Sequence, residues 1–248
     1  MKIDWSPLRT ALAACRRDGV SVPLWWRDDD AVDHTPALDR LLNLSARLGL
    51  PVHLAIIPAH AAPALAKLVA GSNMIPVVHG WAHTDHSAPD EKKNEFQTGR
   101  PGMADDSARA LTRMTDLFGD HLCPMFVPPW NRVSDALVQN LPDQGYTALS
   151  TYGPRKVQDP APGLVAINTH VDPIWWKGTR DLVSPEALVS LAAAHLTARR
   201  IGDEDAAEPF GLLTHHLVHT PAIWSFTSDF VSEMLAGGAT PWKMENTE

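Results

Sequence analysis

The sequence is poor in cysteine and in long apolar runs. Its two cysteines, Cys15 and Cys123, are too few and too far apart for a disulfide framework, so we expect two buried thiols in a reducing compartment. No apolar stretch reaches the roughly 18 residues that a membrane-spanning helix needs. The N-terminal residues also lack the uninterrupted apolar run of a signal peptide. These absences predict a cytoplasmic protein that does not cross a membrane.

Positive charge is scarce as well. The chain has 21 Lys and Arg against 29 Asp and Glu, a formal net charge of −8 at pH 7. Binding to nucleic acid needs clustered Lys and Arg that neutralise phosphates, and no basic run here exceeds two residues. The glycine-rich nucleotide patterns GxGxxG and GxxxxGK[ST] are also missing. We therefore predict no nucleic-acid partner, and a doubly wound nucleotide-binding sheet becomes only the second choice of fold.

Short apolar runs alternate with helical patterns along the 248 residues. The predicted strands cover residues 22–27, 51–57, 74–78, 124–127, 146–150, 165–169 and 210–214. The predicted helices cover residues 8–17, 35–48, 61–70, 105–118, 134–141, 184–199 and 225–235. This alternation predicts an α/β fold, a distorted (β/α) barrel of about seven parallel strands with outer helices, in one domain over residues 1–248. A chain of this length buries roughly 70% of its unfolded surface, so it needs no metal merely to fold.

Polar residues cluster just past the ends of the predicted strands. These groups are Asp28–Asp30, His79–His83, Pro128–Asn131, Asp172 and His215. In parallel α/β barrels the carboxyl ends of the strands form the edge that carries the active site. Packing alone does not explain five elements that direct polar residues to one edge, so we predict a functional site there.

Two of these groups have the composition of a metal site. The three adjacent carboxylates of Asp28–Asp30 need a cation or protons to coexist, although acidic clusters also occur at helix N-termini. His79 and His83 are four residues apart, which on a helical turn places both imidazoles on one face. Together with one carboxylate they would form a His₂Asp set with open positions for water, as catalytic metal sites have.

Two other groups suit acyl-transfer chemistry. The double proline before Trp130 fixes an extended backbone that can present an N–H group to a developing oxyanion. His215 ends a buried strand and can protonate a leaving group. An ordinary strand-ending turn and a core histidine are the structural alternatives. The chain also has nine Trp but two Tyr, and flat indole faces either pack on carbohydrate or fill the core.

Five motifs in one order resemble the polysaccharide deacetylase superfamily, also called family-four carbohydrate esterases or NodB-homology domains. Members have an Asp-Asp pair, His-x-x-x-His, a Pro-Pro loop, an Asp/Trp motif and a late Leu-x-His. In this sequence the motifs are Arg27-Asp28-Asp29-Asp30, His79-Gly80-Trp81-Ala82-His83, Val127-Pro128-Pro129-Trp130, Asp172-Pro173-Ile174-Trp175-Trp176 and Leu213-Thr214-His215. Each motif is weak alone, but the ordered set covers nearly the whole chain and identifies a divergent member.

The resemblance implies a divalent metal, usually zinc, and hydrolysis of an acyl amide on a sugar. It implies Asp30, His79 and His83 as metal ligands, Asp29 as general base and His215 as general acid held charged by Asp172. It further implies an oxyanion donor or substrate contacts from Trp130, Pro129, Trp81 and Arg27. An alternative register makes Asp28-Asp29 the family's carboxylate pair.

The sequence departs from the family at three positions. Val127 stands where the third motif has an arginine that orients the catalytic carboxylate, and Arg27 or Arg132 is a candidate replacement. Ala31 replaces the usual glycine after the Asp pair, and His216 replaces an aspartate after His215. These changes bear on the substrate more than on the metal.

We therefore expect a metal-dependent hydrolase that removes an acyl group, N-acetyl in the first instance, from a carbohydrate. The alternatives are hydrolysis of a small non-sugar amide or ureide, and carbohydrate binding without catalysis. The polar segment 84–102 follows His83 directly, so a lid over the site is one hypothesis for it.

Overall fold

The computed structural model describes residues 3–244, which form eight strands and seven α-helices. The strands are β1 (Pro23–Ala31), β2 (Val52–Ile56), β3 (Met74–His79), β4 (Met125–Val127), β5 (Ala148–Leu149), β6 (Val165–Ala166), β7 (Phe210–Thr214) and β8 (Thr240–Pro241). The helices are α1 (Ser6–Arg17), α2 (Pro36–Leu48), α3 (Ala64–Ala70), α4 (Met103–Phe118), α5 (Asp135–Gln144), α6 (Pro185–Ile201) and α7 (Pro221–Ala236). The seven predicted strands are confirmed, and β8 is an addition.

The strands form one parallel sheet that curls into a distorted barrel. Its order is β6-β5-β4-β3-β2-β1-β7, with β8 beside β1. The segment after β6 connects the two edges of the sheet. Thr169 in this segment pairs with Tyr152, which follows β5, and Val171 pairs with Leu212 in β7. Helices surround the sheet, so the predicted fold class is confirmed.

Local sequence explains where the helices begin. Thr35 and Ser184 cap α2 and α6 through their side-chain oxygens, and each is followed by a proline in the first helical turn. The predicted start of α7 at residue 225 is four residues late, because Thr220 accepts a hydrogen bond from the Ile223 N–H and Pro221 follows it. The same Thr-Pro signature that located α2 was present there.

Strands β5 and β6 are shorter than the predicted 146–150 and 165–169. Each has two residues, and pairing beyond them continues only as the isolated Tyr152–Thr169 bridge. The side chain of Asn168 explains part of this shortening, because its Oδ1 accepts hydrogen bonds from the backbone and hydroxyl of Thr151. A side chain thus does what a ladder bond would do in a longer strand.

The core has two layers, and β1 contributes to both. Trp25 belongs to the cluster that fills the barrel, with residues of β2 to β5, whereas Trp26 belongs to the cluster between sheet and helices. Side chains alternate along a strand, so Arg27 and Asp29 lie on the same side as Trp25. A bulge between Asp28 and Ala31 ends this alternation. The strand therefore delivers a guanidinium and a carboxylate to the barrel end.

Both cysteines are buried and free, as predicted. Among residues 3–244, the helices are too short or too polar to cross a bilayer.

Protonation of His53 is expected to destabilise the protein in acid. His53 is fully buried between the rings of Trp25 and Trp242, its Nδ1 faces the Trp26 carbonyl and its Nε2 accepts from the Met244 N–H. Burial lowers its pKa from 6.5 to about 4. The unfolded state therefore binds the proton more readily. The contribution of neutral His53 to the free energy of unfolding is complete above pH 6.5. As the pH falls towards 4, this contribution is lost, and the free energy of unfolding decreases by about 3 kcal/mol.

Chemical denaturation at several pH values tests this expectation. A His53→Phe variant keeps an aromatic ring against Trp242 and should lose about 3 kcal/mol less than the wild type between pH 7 and pH 4. A His60→Gln variant, altered at an exposed histidine, should keep the wild-type slope. Equal slopes in all three proteins would contradict the assignment to His53.

Candidate metal centre and catalytic residues

Asp30, His79 and His83 come together at the carboxyl edge of the sheet. Asp30 lies within the β1 bulge with a φ of 73°, and His79 ends β3. The Oδ1 atom of Asp30 lies 3.1 Å from His79 Nε2 and 3.4 Å from His83 Nε2. One potential ligand atom from each residue lies within 4.8 Å of the others. The structure thus assembles the three residues that the sequence singled out as ligands.

The turn that carries the two histidines differs from the prediction. Residues 80–83 are not helical, and Gly80 and His83 have φ values of 56° and 55°. The expected helical i, i+4 arrangement is therefore wrong. A left-handed backbone at each end of this turn brings His83 back to His79, with ring centroids 5.2 Å apart.

The donor set suits a divalent metal such as zinc. His79 Nδ1 lies 3.0 Å from the Val127 carbonyl, which can accept only from a protonated nitrogen, so Nε2 is the nitrogen available to a metal, which would replace the proton that Nε2 shares with Asp30. Two imidazole nitrogens and one carboxylate make the three-ligand set of catalytic zinc sites. The residues present therefore fit the ion that the motif resemblance implies.

The surroundings of these ligands shift their pKa values. Burial raises the pKa of Asp30. The hydrogen bond and charge of His79 and the charges of His215 and His83 lower it by more than burial raises it, so the net pKa is well below its usual range. Burial and the neighbouring His79 lower the pKa of His83. Asp30 is thus ionised, and His83 favours the neutral form that binds a metal.

Arg27 forms two hydrogen bonds to Asp29 through its guanidinium group. Arg27 Nε donates to Asp29 Oδ1 and Nη2 donates to Oδ2, each at 2.9 Å, and both side chains are almost completely buried. Residues i and i+2 of a strand share a face, which explains how neighbours on β1 form this pair. A buried charge pair with two parallel hydrogen bonds fixes the plane of the carboxylate.

Three further acceptors surround the same guanidinium. Nη1 donates to Ser150 Oγ at 2.7 Å and to the Thr151 carbonyl at 3.3 Å, and Nη2 donates to Asn131 Oδ1 at 2.7 Å. Arg132 instead hydrogen-bonds the Lys93 carbonyl. Of the two candidate replacements for the family's arginine, the structure places Arg27 against the carboxylate.

Asp28 has a different environment from its two neighbours. Its Oδ1 lies 2.5 Å from His216 Nδ1, and its Oδ2 accepts from the Thr214 hydroxyl at 2.5 Å and the His216 N–H at 3.0 Å. Asp28 thus holds the end of β7. Only Asp30 of the three carboxylates belongs to the group with His79 and His83. This geometry favours Asp29-Asp30 over Asp28-Asp29 as the functional pair.

His215 lies across from Asp29. Its Nε2 is 4.0 Å from Asp29 Oδ2, and the Trp176 ring packs edge-on at 4.7 Å between centroids. Asp172 does not hydrogen-bond this imidazole: its Oδ2 accepts from Trp176 Nε1 at 2.8 Å, and His215 Nδ1 is buried without a hydrogen-bond partner among residues 3–244. Asp172 therefore acts on His215 through its charge and through Trp176, without a direct hydrogen bond.

Trp130 and Trp81 have different surroundings. Trp130 has a left-handed backbone, with φ 56° and ψ 17°, and its ring lies 4.2 Å from that of His83. Trp81 packs against the core beneath the guanidinium of Arg109 on α4, which is 3.9 Å from its ring centroid. We therefore assign Trp81 to packing. Pro129 approaches Gly80 so closely that a Cβ there would lie 2.5 Å from Pro129 Cδ.

Sequence reasoning assigned no role to three residues at the site, although one of them, Asn131, lies in a polar group that it placed there. Asn131 and Ser150 bind Arg27, and Glu95 binds the backbone of the turn that carries His83. Glu95 lies in a polar segment, where a glutamate gives no sequence signal of a structural role. The adjacent Phe96, an isolated large apolar residue that proves fully buried, was the available sign that this segment is anchored.

Comparison with known proteins identifies the fold. No known family profile matches the sequence, and no curated protein matches it. A family 4 carbohydrate esterase from Streptomyces lividans in complex with acetate is similar in structure, at 15% identity over 90% of this chain and 93% of that one, with a TM-score of 0.58. A CE4 esterase from Streptococcus mutans is 12% identical over 93% and 89%, with a TM-score of 0.57.

A pseudoenzyme of the CE4 family from Bacillus anthracis is also similar, at 13% identity over 89% of this chain and 63% of that one, with a TM-score of 0.54. These similarities confirm the resemblance to the polysaccharide deacetylases in fold. Since the same fold includes a pseudoenzyme, activity has to be argued from the site.

Proposed function

We propose that this protein is a metal-dependent hydrolase that removes an acyl group, an N-acetyl group first of all, from a carbohydrate. The observation that carries the proposal is one constellation at the carboxyl edge of the barrel. It joins the group of Asp30, His79 and His83 with the Arg27-bound Asp29 and with His215. Solved structures with the same fold include carbohydrate esterases.

Asp30, His79 and His83 would hold the metal. When bound, zinc would polarise the acyl carbonyl and lower the pKa of a water molecule towards about 7. The Val127 carbonyl keeps His79 in the tautomer that leaves Nε2 free as a ligand.

Asp29 is the proposed general base. Arg27 occupies one position on each of its oxygens and fixes the plane of the buried carboxylate, while the remaining lone pairs can accept a proton from the attacking water. The fixed carboxylate plane limits this transfer to one direction. Orientation of this kind is a large part of what an active site contributes to the rate.

His215 and Trp130 would act on the leaving group and on the developing oxyanion, respectively. His215 lies 4.0 Å from Asp29 and can protonate the departing amine. The left-handed backbone of Trp130 follows two prolines and sets the direction of its N–H group. A donor of this kind towards an oxyanion contributes about 3 kcal/mol to transition-state stabilisation.

Exposed indole rings beside the site support a carbohydrate substrate. Trp176 is 40% exposed while its ring contacts His215, and the neighbouring Trp175 is 52% exposed. Adjacent exposed apolar side chains are a feature of ligand-binding surfaces. Their faces match the apolar C–H surface of a sugar ring.

Metal content tests the proposed centre directly. We expect about one equivalent of zinc or another divalent first-row metal in the purified wild type and none in a His79→Ala variant, because that variant loses the ligand with the best-defined tautomer. Elemental analysis after dialysis measures both. A His121→Ala variant, at a histidine outside the constellation, should retain the metal. Retention of metal and activity in His79→Ala would contradict the assignment.

A substrate panel tests the reaction. We expect turnover of N-acetylated chito-oligomers or O-acetylated sugars, measured as released acetate. Turnover of cyclic ureides or small amides alone would replace the carbohydrate with the alternative substrate class. Binding of sugar without turnover by the metal-loaded protein would instead indicate a non-catalytic binding protein.

A further inference from the structure

A buried carboxylate lies beneath the turn that carries His83. Glu95 is 1% exposed, and its side chain accepts hydrogen bonds from three consecutive backbone N–H groups. Oε1 accepts from Ala82 at 2.8 Å, and Oε2 accepts from Trp81 and His83 at 3.2 Å each. Three N–H groups that converge on one anion form a concave backbone site of the kind that normally binds a free anion. Here the anion comes from the chain itself.

The shape of the turn explains why it needs this partner. Residues 80–83 form no helix, so their N–H groups have no carbonyl of a preceding turn to bind. The positive φ angles of Gly80 and His83 direct the three N–H groups to one side. Without the Glu95 carboxylate, this backbone would lose the bonds that hold its conformation, and the position of the His83 imidazole depends on that conformation.

Gly80 leaves the space that Glu95 occupies. A Cβ atom at position 80 would lie 2.4 Å from Glu95 Oε2 and 2.5 Å from Pro129 Cδ. Contacts this short do not occur, so only glycine fits between the carboxylate and the Pro129 loop. The carboxylate is thus enclosed between the His83 turn and the loop that carries Trp130.

Glu95 is itself held on an anchored backbone. On one side Asn94 Oδ1 accepts from the N–H groups of Gln97 and Thr98. On the other side, the buried Phe96 ring packs against the Phe126 ring, with 5.1 Å between the ring centroids. The Phe96 carbonyl accepts a hydrogen bond from the Ser134 N–H at 2.9 Å. The part of segment 84–102 around Glu95 is therefore fixed between the turn that carries His83 and the loop that carries Trp130. This arrangement argues against the hypothesis that this part is a mobile lid.

We propose that Glu95 is a positioning residue that holds His83 in the geometry required for metal binding. The inference rests on the metal centre of the proposed function and adds a residue to it that touches neither metal nor substrate. Groups that orient metal ligands typically change metal affinity about 10–100-fold when they are removed. The Glu95 carboxylate acts on the ligand's backbone, and it is the only such acceptor that contacts three successive residues of the turn within the described chain.

Zinc affinity of the apoprotein tests the role, by competition with a chromophoric chelator. A Glu95→Gln variant keeps the side-chain shape but turns an NH₂ group towards N–H donors, so we expect zinc binding to weaken about 10–100-fold. Glu91→Gln is the matched control, because Glu91 lies in the same segment, is exposed and does not touch residues 81–83. Its zinc affinity should equal that of the wild type.

A double-variant comparison separates positioning from a general loss of structure. If Glu95 acts through His83, adding Glu95→Gln to a His83→Ala protein should weaken the residual zinc binding, titrated directly at up to millimolar zinc, less than about twofold. A loss of equal size in both backgrounds would overturn the proposal, as would wild-type affinity in Glu95→Gln. A wild type that binds no zinc would reject the metal centre itself, so the two failures are distinguishable. If Glu95→Gln does not fold, Glu95→Asp provides the test, with unchanged affinity overturning the proposal.

Discussion

An Arg27→Met variant is expected to lose both stability and turnover. Methionine keeps the length of the side chain but leaves Asp29 as a buried carboxylate without its two guanidinium bonds. Removing one member of a buried ion pair costs about 3–5 kcal/mol in the free energy of unfolding. The freed carboxylate would also leave its plane, and misplacement of a catalytic group by about 1 Å can cost about 10²-fold in turnover. Urea unfolding and kcat measure the two effects.

Two companion variants make the Arg27 result specific. Arg132→Met removes the other arginine near the third motif, which hydrogen-bonds the Lys93 carbonyl at the surface, and should change stability by less than about 0.5 kcal/mol. The double variant Arg27→Met with Asp29→Asn removes the unpaired charge and should recover part of the lost stability without recovering turnover. Full activity in Arg27→Met would show that Asp29 does not need orientation.

Arg27 also shows what the sequence could predict and what it could not. The strand pattern and the motif order were sufficient to predict the barrel, the edge at which the candidate site lies and the three residues that come together there. Which arginine replaces the missing one depends on a side-chain direction across the barrel, since Arg27 reaches Ser150 from β1. A distance of this kind is a property of the closed sheet, and no local pattern encodes it.

The three adjacent aspartates illustrate the same limit. Strand alternation predicts that Asp28 and Asp29 point to opposite faces, but the bulge after Asp28 and the left-handed Asp30 remove the regular period. Non-glycine residues with positive φ are uncommon and tend to occur at functional sites. Asp30, His83 and Trp130 all have such angles here. These angles are set by tertiary contacts, which is why the helical turn predicted for the histidine pair was wrong.

Replacing each aspartate by asparagine is expected to give three different results. Asp29→Asn should keep zinc, because Asp29 is not in the ligand group, while turnover falls about 10²–10⁴-fold with the loss of the general base. Asp30→Asn should lose tight zinc binding, because an amide oxygen is a neutral and weaker ligand. Zinc content and acetate release, measured on the same preparations, give both quantities.

Asp28→Asn distinguishes the two possible carboxylate pairs. Asp28 binds His216 and Thr214 on the other face of β1, so we expect a loss of stability with zinc retained and turnover within about tenfold of the wild type. If Asp28-Asp29 were the functional pair, Asp28→Asn would abolish turnover and Asp29→Asn would abolish zinc binding. The two hypotheses therefore predict opposite results for the same two variants, and the geometry of Arg27 with Asp29 and of Asp30 with the histidines favours the first.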